Sequence, residues 1–183
     1  MIRPLFALSV SALLVACTVA SRVETPAAPR VAIPAALAPA SGDPPALRLA
    51  ATGVQIYECR ATAGASPTWG FVGPEAELFD AAGRSIGRHG AGPHWQAHDG
   101  SRLDGKVRAR ANAPSPAALP WLLLDATASG PRGVFSGVTA IQRVNTVGGA
   151  APPGACSADT AGTAVRVPYT ADYLLYSAAH GAP

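Results

Sequence analysis

A chain of 183 residues with 14% charged side chains, 19 glycines and 18 prolines suits one turn-rich domain, with fewer charges than the usual share of about 25%. Its formal charge of +3, from 14 basic and 11 acidic residues spread along the chain, is too small and diffuse for a nucleic-acid footprint, so no nucleic-acid partner is expected. The apolar run from Leu5 to Ala16 is too short for a permanent membrane helix.

That run follows the single positive charge of Arg3 and precedes small residues, the pattern of a secretory signal. Its end, Leu14-Val15-Ala16-Cys17, resembles the bacterial lipobox. The resemblance implies that residues 1–16 are a lipoprotein signal peptide and that Cys17 is the acylated first residue of the mature protein. An ordinary signal peptide cut after Ala16 or Ala20 is the competing reading. Two or three acyl chains would attach the protein stably to a membrane. Thr18 in place of an aspartate points to the outer membrane, facing the periplasm.

Once Cys17 carries lipid, Cys59 and Cys156 remain in an oxidising compartment, and a disulfide is the simplest outcome. The loop between them is long, so the chain-entropy model assigns such a bridge about 4–5 kcal/mol. Metal binding and free thiols are the alternatives, although two cysteines without a nearby histidine make a poor zinc site.

Residues 17–46 are rich in alanine and proline and contain no aromatic residue, as expected of a disordered, partly polyproline tether. Ala35 to Ala40 is the one part that suits a helical turn.

From residue 47 to about 180, short β-rich runs alternate with Gly, Pro and Asp turns. Gly53 to Cys59 alternates, with Val54 and Ile56 on one face and Gln55, Tyr57 and Cys59 on the other. Runs at 69–72 and 76–79 lead through Asp80-Ala81-Ala82-Gly83 into 85–87, and Trp95 to His98 leads through Asp99-Gly100 into Leu103 to Ala111, giving two hairpins. In the last of these strands Lys106, Arg108 and Arg110 share one parity and are expected to face solvent. Pro120 to Leu124 reads as a buried strand, Val134-Phe135 and Val138 to Val144 continue the pattern, and 164–169 and 173–176 close the domain. Ala171 to Ala179 is alternatively a short helix. About eight strands without strand-helix-strand alternation predict an all-β fold, an antiparallel β-sandwich or flattened barrel.

The segments Ala51 to Cys59, Pro74-Glu75-Ala76, His89 to Trp95, Asp99-Gly100-Ser101, Pro120 to Leu124, Ile141 to Thr146 and Val167 to Tyr173 together resemble an exported bacterial and fungal family, domain of unknown function 3455. The family brings no established activity, ligand or catalytic residue. Its pattern around the histidines is His, aromatic, Ala, Gly, Pro, Thr, Trp, from which Gly90 and His94 depart. A malate dehydrogenase label carried by some fungal relatives finds no support, because Gly90 and Gly92 lack the third glycine and the strand-to-helix setting of a dinucleotide fold. No cofactor is expected.

Arg84 to Lys106 gathers three of the four histidines. His94 and His98 would lie about 13 Å apart on a strand, too far to share a metal, and no metal site is expected. Gly83-Arg84-Ser85-Ile86-Gly87 matches a nucleophile-elbow pattern but falls in a hairpin rather than a strand-to-helix turn. Glu75 and Glu77 would be about 7 Å apart on one strand face, commoner as solvent-facing carboxylates than as a glycosidase pair. Trp95 could offer a stacking platform, with Trp69 and Trp121 filling the core. Four residues are singled out as candidate ligand contacts: His89, Trp95, Asp99 and Arg108. The composite expectation is a lipid-anchored envelope protein, non-enzymatic, binding an envelope glycan, lipid or protein. The alternative is a small metal-dependent or hydrolytic enzyme built on the His89–Asp99 region.

Overall fold

The computed structural model describes residues 32–40 and 42–178; the signal segment and Cys17 lie outside them. Eight strands follow one another, β1 (Leu47–Thr62), β2 (Ala65–Phe79), β3 (Ser85–Gly90), β4 (His94–Ala97), β5 (Arg102–Ala111), β6 (Trp121–Ser129), β7 (Val138–Gly148) and β8 (Ala164–Ser177). Each pairs antiparallel with its neighbour, and β8 returns to β1 to close a barrel. Of the two architectures expected, the chain therefore forms the barrel. Closure leaves no unpaired sheet edge, and eight strands leave an interior wide enough for side chains or one small ligand.

The closing seam runs from Leu47 opposite Leu175 to Glu58 opposite Ala164. The stretch from Ala171, weighed above as a helix, is the second half of β8. Tyr173 and Leu175 face the lumen while Leu174 and Tyr176 join an apolar patch outside, a period of two that no helix provides. On β1 the alternation is as read: Gln55, Tyr57 and Cys59 are buried, and Val54 and Ile56 are half-buried on the outer side.

One end of the barrel is closed. Val134-Phe135, expected in a strand, lies in the β6–β7 connection, and Phe135 is fully buried among Leu49, Leu78, Leu103 and Leu175. The Asp99 turn between β4 and β5 holds it there. The Asp99 carboxylate accepts from the Val134 N–H at 2.7 Å and from the Ser101 hydroxyl at 2.6 Å, and Ser101 Oγ accepts from the Phe135 N–H at 3.2 Å. These bonds satisfy a loop backbone that would otherwise have no ladder partner. At the opposite end Cys59, near the tip of β1, is bridged to Cys156 in the β7–β8 connection, with Cα atoms 5.9 Å apart.

The outer patch on β5 to β8 is covered by the chain before β1. Ala35–Leu37 forms a 3-10 turn, and Leu37 is 0% exposed against Trp121, Leu123, Val144 and Leu174. Gln142 donates to the Leu37 carbonyl and accepts from the Tyr176 hydroxyl. The expectation of a tether through residue 46 thus needs correction. An alanine-proline stretch buries little by itself, but one leucine at a turn suffices to dock it on a waiting apolar surface.

In β5 the pairing with β6 shifts register between Val107 and Ala109. This bulge reverses the alternation. Before it Leu103 and Val107 face the lumen; after it Ala109 and Ala111 face outward against the outer patch and Arg110 lines the lumen. Lys106, Arg108 and Arg110 are all exposed, but they do not form the single outward row that unbroken parity implies.

Candidate functional site

Above the Phe135 plug, toward the disulfide end, the barrel holds a cavity of about 420 Å³, within the range of about 300–1,000 Å³ for small-molecule sites. Its inner wall is apolar, with Trp95, Val107, Leu122 and Leu124. Phe71, Pro93 and Pro120 contribute to the mouth, where Phe71 is 53% exposed with its ring 5.7 Å from that of Tyr57. The polar contributors are Gln55, His89, Arg110, Arg143 and the hydroxyls of Tyr57 and Tyr173. Among the described residues no aspartate or glutamate lines it.

His89 and Trp95 are direct cross-strand partners on β3 and β4. Their rings stack at 4.5 Å and 15°, and the Tyr173 ring meets both edge-on at 5.2 and 5.3 Å. The indole fits because β5 carries Gly105 against its ring, two residues beyond the register partner Leu103; a Cβ there would lie 2.8 Å from the Trp95 ring. His89 donates its Nδ1 proton to the His94 carbonyl at 2.7 Å. Burial, the largest influence, pushes its pKa down to about 3, so the ring is neutral at physiological pH and Nε2 carries the lone pair.

Arg143, facing inward from β7, donates through Nε and Nη2 to the Pro120 carbonyl at 3.3 and 2.9 Å. Among the described residues no carboxylate forms an ion pair with it. Behind the larger effect of burial, its charge acts on Tyr57, His89, Tyr169 and Tyr173. Gln55 Nε2, Tyr169 Oη and Tyr173 Oη approach one another closely enough to interact, yet none makes a well-formed hydrogen bond. Trp95 Nε1 is likewise buried without a partner. Burial raises both tyrosine pKa values, so the hydroxyls are neutral donors.

A family model described as a protein of unknown function, DUF3455, matches residues 39–177. The chain belongs to that family. No curated protein and no solved structure matches it. The DUF3455 match covers the whole barrel and begins two residues after Leu37.

Within the DUF3455 barrel the four candidate contacts separate. His89 and Trp95 line the lumen together. Asp99 lies at the closed end and is spent on Ser101 and Val134. Its pKa is lowered first by the Ser101 hydroxyl and then by the Val134 and Ser101 amides. Arg108 pairs with Asp125 on the outer face. Two further residues, Arg110 and Arg143, enter the site in their place. Arg143 had a visible signal, an arginine between Ile141 and Val144 in a strand otherwise destined for the core.

The two departures from the family pattern form one contact. His94 lies opposite Gly90, and its ring fills the space above that glycine, 2.6 Å from where a Cβ would stand. His98 Nε2 lies 3.0 Å from Ser85 Oγ and 3.9 Å from Glu77, and Ser85 donates to Glu77. This serine, histidine and carboxylate do not make a hydrolytic triad. The carboxylate meets Nε2 rather than Nδ1, and the group is an exposed cluster on the outer barrel wall. Glu75 is paired with Arg166. Among the described residues no group of three or more His, Cys, Asp or Glu is arranged to hold a metal ion. Trp121 is buried in the outer patch, while Trp69, expected in the core, is half-exposed on the long β1–β2 hairpin.

Proposed function

We propose that this protein is a lipid-anchored component of the bacterial cell envelope that binds a small, largely apolar ligand inside its barrel and releases it unchanged. The observation that carries this reading is the cavity itself: about 420 Å³ at one end of a closed barrel, apolar along its walls, with buried polar atoms that lack partners. A barrel needing only stability would gain by filling that space. The lipobox-like Leu14-Val15-Ala16-Cys17 and the Cys59–Cys156 disulfide support export to an oxidising compartment. Thr18 favours the outer membrane on its periplasmic face.

A catalytic role for the His89–Asp99 region gains no support, since His89 faces the lumen while Asp99 is engaged at the closed end by Ser101 and Val134.

The mature disulfide-bonded protein should enhance the fluorescence of N-phenyl-1-naphthylamine, a neutral apolar dye, with saturation at one equivalent. Val107→Trp, which fills the lumen, should abolish the enhancement while leaving the β-sheet circular dichroism intact. Equal enhancement by both proteins, or none by the native one, would overturn the lumen reading. Mass spectrometry of the mature N-terminus should find acylated Cys17; an unmodified terminus at another residue would remove the anchor.

A further inference from the structure

The lumen's polar groups are unbalanced in one direction. Arg143 brings a full positive charge and several N–H donors, only two of its nitrogens being engaged, both by the Pro120 carbonyl. Three further residues carry donors that make no well-formed hydrogen bond, Trp95 Nε1, Gln55 Nε2 and the Tyr173 hydroxyl, the last two lying close to Tyr169 Oη and the last also to Arg143. Each of these three residues is 1% exposed. Against them stand only neutral acceptors, the His89 Nε2, the Gln55 amide oxygen and the tyrosine hydroxyls, and among the described residues no carboxylate lines the space. Buried donors left unmatched are costly, and an inward-facing cation without a counter-ion more so. A group that is anionic and acceptor-only would satisfy both deficits at once. A carboxylate offers about four lone-pair sites and binds a guanidinium in a forked geometry.

Beyond that polar cluster the walls are aliphatic and aromatic, so the rest of the occupant must be apolar. A volume of about 420 Å³ corresponds to roughly fourteen atoms at liquid-water spacing of about 30 Å³ each. Arg110, exposed at the rim on the far side of the β5 bulge, adds a second positive charge where an approaching anion would pass.

We infer that the lumen binds an apolar monocarboxylate of roughly ten to fourteen non-hydrogen atoms, its acid group held by Arg143 with Tyr173 and Gln55 and its body against Trp95, Leu122 and Leu124. This rests on the reading of the lumen as a ligand site and adds the chemical class of the ligand.

The test is calorimetric titration of the mature protein with decanoate and with 1-decanol, which share a chain and differ in head group. Decanoate should bind about tenfold or more tightly than the alcohol. Arg143→Met should lower decanoate affinity by about tenfold and decanol affinity by clearly less, so that the preference for the acid disappears. Tyr173→Phe, which keeps the ring and removes only the hydroxyl, should weaken decanoate severalfold and serves if the arginine variant does not fold. Equal binding of acid and alcohol by the native protein would overturn the carboxylate assignment and leave the lumen site standing. Binding of neither compound, together with a silent apolar dye, would overturn both.

Discussion

The His89 imidazole lies flat against the Trp95 indole, 4.5 Å between centroids, and its Nδ1–H is committed to the His94 carbonyl. A histidine so enclosed is neutral when folded and free to protonate when unfolded. Its folded pKa of about 3 lies below the ordinary 6.5, so its contribution to stability is fully present above about pH 6.5 and declines as pH falls toward 3. Between about pH 7 and pH 5 the unfolding free energy should drop by roughly 2 kcal/mol from this group alone. Denaturant titrations across that range should show the slope in the native protein and its loss in His89→Phe; an unchanged slope would mean that the ring is solvated.

At the closed end, Asp99 should matter to stability in a way that a carboxylate facing only solvent does not. Asp99→Ala removes the acceptor for Val134 and Ser101 and should loosen the β6–β7 connection, lowering the melting temperature and exposing residues 130–137 to proteolysis. Because the folded pKa of Asp99 is depressed, the support it gives is present above the ordinary carboxylate range and disappears as pH falls through and below it. Limited proteolysis at neutral and at acid pH distinguishes this from a solvent-facing turn, which would show no difference.

Reduction of Cys59–Cys156, which closes a loop of 97 residues, should lower stability by about 4–5 kcal/mol in the chain-entropy model. The Cys59→Ala, Cys156→Ala double variant should match the reduced protein. If chemical denaturation finds the oxidised and reduced forms within about 1 kcal/mol, strain or residual structure cancels the loop term.

Leu37→Ala should cost about 2–4 kcal/mol, as for a buried core leucine, even though the residue precedes the first strand. A cost below about 0.5 kcal/mol, the range of ordinary surface changes, would show that the turn is dispensable.

The strands and most turns were legible in the sequence because alternation and Gly, Pro and Asp punctuation are local. The disulfide was legible by elimination among three cysteines. Closure of β8 onto β1 was not, since Leu47 meets Leu175 across nearly the whole domain and a sandwich shows the same alternation. The β5 bulge was also hidden: neither Val107 nor Arg108 marks it, yet it places Arg110 at the lumen and Arg108 outside. Of the lumen lining, His89 and Trp95 were singled out from the sequence, whereas Arg143 looked like one more charge, and only the enclosing barrel turns it inward. Leu37 was missed because its partners, Trp121, Leu123 and Leu174, are scattered over distant strands that look interior until the lumen is seen to lie on their other side.

The plug at Phe135 closes one end of the barrel. The cavity lies toward the other end, where Phe71 and Arg110 contribute to its lining and to which the covalent staple between Cys59 and Cys156 also belongs. On the proposed reading of the lumen as a ligand site, reducing that staple should therefore alter the rate of ligand release as well as the stability of the fold.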